Sequence, residues 1–249
     1  MDIVDILNSG NDNLISSIPH ELIFHIVYFL PYQDIIHFCQ SSSYLNKLLC
    51  QSDYLWKKLF HRDISTQTFT DNYHALYQEV MEKIRYMYPN EILNYAAKNG
   101  FNKLAQYALN LGAKNYKSAM AEAAENGHEE IVQLMLTKGA NNYNTAMAYA
   151  TMNGYEKIVE LMIKHGANDF NWVMSLAAGF GEERIVKLML KHGANDYNRA
   201  MFKAAENGHK EIVKLMLKYG ANDYNMAINY ATLGGHNDIV KLIQEWKKK

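Results

Sequence analysis

One phrase, written most plainly at Asn195–Gly220 as NDYNRAMFKAAENGHKEIVKLMLKYG, recurs through most of this 249-residue chain. Its landmark glycines fall at Gly100, Gly127, Gly154, Gly181, Gly208 and Gly235, and a second set falls at Gly112, Gly139, Gly166, Gly193 and Gly220, every step being 27 residues. A fixed period carrying two short apolar runs per copy marks a stacked repeat array, in which no unit hides its apolar face without a neighbour. Six units occupy residues 88–249. The expected fold is all-α: a helical repeat solenoid with a separate segment in front of it.

Within one unit, Ala200, Met201, Ala204 and Ala205 share a face of a first helix, and Gly208 follows where a helix exit needs a left-handed residue. A second helix from Lys210 to Lys218 carries Ile212, Val213, Leu215, Met216 and Leu217, and Gly220 closes it. Each such large side chain contributes about 1.5–3 kcal/mol on burial, too little in sum to fold one unit against its chain entropy. The stretch Ala204-Ala205-Glu206-Asn207-Gly208-His209, followed by Ile212-Val213, Leu215–Leu217 and Gly220-Ala221, resembles the ankyrin repeat. That family's unit is about 33 residues long. Here only Asn141, Asn142, Tyr143 and Asn144 separate Ala140 from the next helix, so the projecting hairpin finger is expected to be missing. The family's Thr-Pro-Leu-His start is also altered, for example to Thr145–Ala148 and Arg199–Phe202. Ligand contact is therefore expected on the helical face and the short turns.

Compared with one another, the copies differ mostly at four first-helix positions spaced i, i+3, i+4, i+7 on one face. In an ankyrin-like array this face lines a concave groove. Tyr149, Met152, Trp172, Leu176, Phe202, Met226, Tyr230 and Leu233 place there more apolar area than solubility favours, and they are the expected target-binding residues. For Trp172 and Phe202 a second role stands beside this one, filling space left by the short loops. The fourth unit replaces Asn-Gly-His with Phe180-Gly181-Glu182, for which the sequence offers no reason. At the ends, Phe101, Ala105 and Tyr107 in the first unit and Gln244 and Glu245 in the last read as caps.

Ahead of the array, Pro19 suits a first helical turn, and Leu22, Ile23, Ile26, Val27 and Leu30 recur at helical spacing up to Pro31. Three more short helices follow, one with Ile35, Ile36 and Phe38, one capped by Ser42 or Ser43, and one from Asp53 with Leu55, Trp56 and Leu59. Such a bundle has more apolar positions than a core this small can cover, so either a partner or the repeat array covers the surplus. The run IPHELIFHIVYFLPYQDIIHFCQ, then SSSYLNKLL and YLWKKLF, resembles an F-box. Two departures are Ile18-Pro19 for the family's Leu-Pro and Gln40-Ser41 at a usually apolar place. The resemblance implies docking on a Skp-type adaptor, and through it on a cullin-RING ubiquitin ligase, by Ile18, Pro19, Leu22, Ile26, Leu30, Ile35 and Trp56. It also implies that the chain is a substrate-recognition adaptor, with a non-catalytic scaffold or decoy as the alternative. Ankyrin-rich F-box proteins resemble those of large DNA viruses, which would place the chain in a host cytosol.

The organisation expected is an F-box-like domain at 15–64, a linking or capping helix at 65–87 and the array at 88–249. The linking helix carries Leu76, Tyr77, Val80, Met81, Ile84 and Met87 on one face, after a cap at Asp71 or Asn72. It packs either on the first repeat or on the bundle. A net charge of -1 gives no electrostatic footprint for nucleic acid. No apolar run is long enough to span a bilayer, and the two acids of MDIVDILNSG do not suit a signal peptide. Cys39 and Cys50 are expected as reduced core thiols, consistent with a cytoplasmic or nuclear monomer. His128, His209 and His236 share one repeat position, which makes a ladder rather than a metal site, and their side chains are expected to bond the preceding turn. No catalytic constellation, metal site or cofactor motif is present, so the chain is not expected to be an enzyme.

Overall fold

The computed structural model describes residues 3–28, 30, 32–50, 53–64 and 73–248. The helix stop at Pro31 and the cap at Asp71 or Asn72 lie outside these residues. Among the described residues every regular element is helical, as expected. The chain divides into two compact units, Met1–Ala96 with Gly100–Lys114, and Ala97–Asn99 with Asn115–Lys249. Most of the first repeat is therefore counted with the N-terminal bundle.

In the first unit, α1 (Ile3–Asn8) and α2 (Asp12–Ile15) precede the bundle proper, which is α3 (His20–Tyr28), α4 (Tyr32–Ser41), α5 (Ser43–Leu45), a π-helical turn (Asn46–Cys50) and α6 (Asp53–Asp63). Neither α1 nor α2 was expected from the residue pattern. Each buries one large apolar residue, Leu7 and Ile15, and α2 is also held by polar groups: Asn11 Oδ1 accepts from the N–H groups of Asn13 and Leu14, and Asp12 accepts from the hydroxyls of Ser42 and Ser43 and from Tyr44 N–H. Those two hydroxyls hold the Asp12 carboxyl below its usual range. Ser42, one of the two expected caps, starts α5 by accepting from Leu45 N–H at 3.0 Å. Ile23, Val27, Ile35, Leu45, Leu49, Leu55 and Trp56 make the core. Cys39, expected as a reduced thiol, is instead disulfide-bonded; α4, which carries it, lies against the π-helical turn that follows.

The linking segment forms α7 (Tyr73–Ile84), which lies along α6. Tyr77 is fully buried, its ring 5.5 Å from that of Trp56, and its hydroxyl donates to Asp63 at 2.5 Å. Asp63 also pairs with Arg62, whose guanidinium lies over the Tyr28 ring and donates to Leu30 O at 3.4 Å. Burial and the Asp63 charge raise the Tyr77 phenol well above the ordinary tyrosine range. In the first repeat, α8 (Pro89–Asn99) and α9 (Asn102–Asn110), the second helix meets α6. The carbonyl of Ile64 accepts from Lys103 N–H at 2.9 Å and Leu104 N–H at 3.0 Å, joining the C-terminus of one helix to the orphan donors of another. Phe60 and Phe101 pack edge to face at 5.8 Å, and Lys83 of α7 sits 4.9 Å from the Tyr95 ring.

The second unit repeats one helix pair: α10 (Tyr116–Glu125) with α11 (Glu129–Thr137), α12 (Tyr143–Met152) with α13 (Glu156–Lys164), α14 (Phe170–Phe180) with α15 (Glu183–Lys191), α16 (Tyr197–Glu206) with α17 (Lys210–Lys218), and α18 (Tyr224–Leu233) with α19 (Asn237–Trp246). First helices stack on first helices through buried alanine and methionine pairs such as Ala146-Met147 and Ala200-Met201. The small alanines set the close approach and the methionines fill the remaining volume.

Two polar devices replace the missing finger. Asn171 Oδ1 accepts from the backbone N–H groups of Asn195 (2.6 Å) and Asp196 (3.0 Å), while its amide donates to Asn195 Oδ1 (3.1 Å). Asn144 and Asn198 repeat this clamp on Asn168 and Asn222, so each turn is tied to the unit before it. The first unit has a shorter version, Lys114 N–H to Asn90 Oδ1 at 2.8 Å. On the last first-helix, Asn225 Oδ1 accepts instead from Lys247 Nζ at 3.1 Å. The second device is the residue that opens each second helix. His209 Nε2–H donates to Gly179 O at 3.1 Å and His128 Nε2–H to Lys98 O at 3.1 Å, so these histidines reach the first helix of the preceding unit rather than the preceding turn, where their bonds were expected. Burial lowers the His128 pKa despite that bond, favouring its neutral form.

Candidate interaction surfaces

The variable faces of α12, α14 and α16 open into two grooves, one on each side of a wall made by Trp172 and Leu176. The smaller, about 340 Å³, lies toward α12 and is lined by Thr145, Ala148, Tyr149, Met152 and Asp169 as well as that wall. The larger, about 500 Å³, lies toward α16 and adds Ser175, Gly179, Phe180, Arg199, Lys203, Asn207 and His209.

Local sequence explains the larger groove. Asn126 and Asn207 end their first helices by donating a side-chain amide to the carbonyl four residues back, at 2.8 and 3.0 Å. Phenylalanine cannot make that bond; α14 instead runs through Phe180 to Gly181, and the ring is left 48% exposed at the groove edge. Gly179 stands where Met152 and Glu206 put side chains, so the groove floor there stays bare, while its carbonyl meets His209 as that of Lys98 meets His128. Glu182 takes the histidine's place, its carboxylate lying over Gly154. The unexplained Phe-Gly-Glu substitution thus opens the array's surface at one unit.

Of the eight residues expected to bind a target, Tyr149, Met152, Trp172 and Leu176 line the grooves. Trp172 is 44% exposed at the wall between them. Phe202 and Tyr230 stack on each other at 5.6 Å, nearly parallel, and so use much of their faces within the array. Met226 and the 83% exposed Leu233 lie on the last first-helix, outside both grooves. Reasoning from apolar residues alone passed over Arg199, Lys203, Asp169 and Phe180. The two cations stood among the variable positions, and Phe180 broke the repeat, so both signals were present.

The expected adaptor-binding residues divide sharply. Ile18, Ile35 and Trp56 are buried in the bundle's own core, Trp56 beneath Tyr77. Pro19 and Leu22 are exposed, and Ile26 and Leu30 are half-buried, leaving an apolar strip that runs from the start of α3 along the helix. Among the described residues no three His, Cys, Asp or Glu side chains gather as a metal site, and no helix is long and apolar enough to cross a membrane.

Comparison with known proteins finds two families along the chain. A family model for F-box-like domains matches residues 15–62, and one for ankyrin repeats in three copies matches residues 93–171 and 174–248. Among solved structures, the crystal structure of the human ASB11 ankyrin repeat domain is similar at a TM-score of 0.54 and 18% identity, covering 62% of this chain and 82% of that one, a likeness of fold. No curated protein matches the chain.

Proposed function

This chain belongs to the ankyrin-repeat family and carries an F-box-like domain ahead of its repeats, and we propose on that basis that it is the substrate receptor of a cullin-RING ubiquitin ligase. Both parts are protein-interaction modules. The bundle, at 15–64, docks a Skp-type adaptor through Pro19, Leu22, Ile26 and Leu30, while Ile18, Ile35 and Trp56 hold that strip in shape from beneath. The segment at 65–87 links it to the array at 88–249, which holds a target protein so that its lysines are presented for ubiquitin transfer. The carrying observation is the pairing of an F-box-like domain with an array whose variable face opens into grooves around an exposed Trp172.

The chain itself contributes binding and no catalytic group. The test is reconstitution with a purified Skp-type adaptor: a stable complex forms, and Leu22→Asp or Ile26→Asp abolishes it while the helical spectrum is kept. A wild-type chain that fails to bind the adaptor would overturn the proposal, and a chain that binds both adaptor and target without supporting ubiquitination would be a decoy.

A further inference from the structure

Resting on the assignment of the array as the target-binding module, we infer that its occupant is a short linear protein segment in which an acidic and a basic residue flank an apolar side chain. The apolar side chain sits on Trp172 and Leu176, the acid on Arg199 and the base on Asp169.

The two grooves share one apolar wall and differ in charge. The larger contains Arg199 and Lys203 and no carboxylate among its lining residues. In the smaller, Asp169 is the only charged lining residue. Charges on the two sides differ in how free they are. Lys203 is paired with Glu206 at 2.8 Å, which leaves Arg199, exposed and without an ion pair among the described residues, as the principal cation. Asp196, its nearest acid in sequence, is turned onto the Arg199 backbone N–H at 3.2 Å rather than onto the guanidinium. Asp169 occupies the same repeat position as Asp196 and Asp223. Those two accept a hydrogen bond from their own helix, and Asp169 makes no such bond. An exposed aromatic therefore stands between an uncommitted cation and an uncommitted anion.

Grooves of about 340 and 500 Å³ suit side chains or small ligands rather than the broad, flat face of a folded domain. A guanidinium binds a carboxylate through two parallel N–H donors, which fixes geometry as well as sign. The Trp172 indole supplies the large rigid contact typical of binding hot spots. The larger groove is pre-shaped, since His209 is tied to Gly179 O across its floor, which lowers the ordering cost of binding. With opposite charges at its two ends, the site also selects the direction in which a segment lies, because a reversed segment meets like charge twice.

The experiment selects a display library of random short peptides against the full chain, then measures binding of the enriched peptides by fluorescence anisotropy. Enriched sequences are expected to carry an apolar residue between an acid and a base. Arg199→Glu and Asp169→Lys should each weaken binding at least about tenfold, with Asp169→Asn intermediate. The Arg199→Glu/Asp169→Lys double variant should recover affinity for peptides whose acid and base are exchanged. Lack of enrichment, enriched peptides without the charge pair, or insensitivity to both charge variants would overturn the inference. If the charge variants bind normally while Trp172→Ala/Tyr149→Ala does not, the grooves bind targets and the proposed polarity is wrong. If none of these changes matters, the assignment of the target surface itself fails. Self-association abolished by the same substitutions would replace the peptide with a second copy of the chain.

Discussion

Replacing Gly181 and Gly193 by alanine, separately, measures what the histidine contacts contribute between units. Both glycines have positive φ, +84° and +92°, so an alanine at either site pays the left-handed penalty of about 1–2 kcal/mol. Their surroundings differ. A Cβ on Gly193 meets nothing within 4 Å, whereas one on Gly181 comes 2.7 Å from the His209 ring. That ring is pinned by its bond to Gly179 O, so it must swing away and lose a hydrogen bond worth about 0.5–1.5 kcal/mol, together with some packing. Gly181→Ala should therefore cost about 1–2 kcal/mol more than Gly193→Ala. Urea unfolding of the full chain, followed by circular dichroism and by tryptophan fluorescence, to which Trp172 of the same unit contributes, gives both values. In a His209→Ala background the two alanines should cost the same, since the ring that separates them is gone. Equal costs in the wild type, or a difference that survives His209→Ala, would refute the reasoning.

Asn171→Ala removes a three-bond clamp at an exposed turn and should lower stability by about 1–2 kcal/mol in the same assay, with Asn171→Asp milder because the acceptor oxygen remains. Lys117 stands where the other units have the clamping asparagine, so Lys117→Asn should stabilise by about 0.5–1 kcal/mol. Trp56→Ala should destabilise by about 3–5 kcal/mol by opening a cavity under Tyr77, whereas Leu22→Asp should change thermal stability little and still abolish adaptor binding in a pull-down. The Tyr77 phenol is raised above the unfolded value of about 10, so its contribution is intact below about pH 10 and is lost as pH climbs toward the folded-state pKa. Urea midpoints of the wild type should fall at alkaline pH, and Tyr77→Phe should flatten that fall.

Periodicity carries information about what repeats, and it carried most of this fold. The positive-φ glycines and the alanine faces of the first helices follow from one unit read against five others, whereas the histidines shared a position in the repeat without revealing that their partners lie in the preceding unit. The second role of each Asn-Asp-Tyr-Asn turn was less visible, because the last asparagine acts 24 residues away on the following copy. Only the stacking of units brings those atoms together. In the bundle, helical spacing located α3, α4 and α6, yet spacing does not say which side of a helix a small core claims. Trp56 and Ile35 went inside because α7 closes over the one and the neighbouring helices over the other, a choice made in three dimensions. The candidate grooves were legible as a variable face. Their charge was not, since apolar residues were weighed and Arg199 and Asp169 were left out. The meaning of Phe180 emerged only with the helix end it lengthens.

The clamp running from each asparagine to the next turn, closed at the last unit by Lys247, leaves the number of copies open. Each bond reaches one unit ahead and no farther, so a gene duplication of 27 codons anywhere between Asn144 and Asn222 would restore every hydrogen bond it interrupted. Such a chain can lengthen or shorten by recombination without redesigning its ends. The grooves, by contrast, depend on one irregular copy, so regular copies added on either side of it would leave them single.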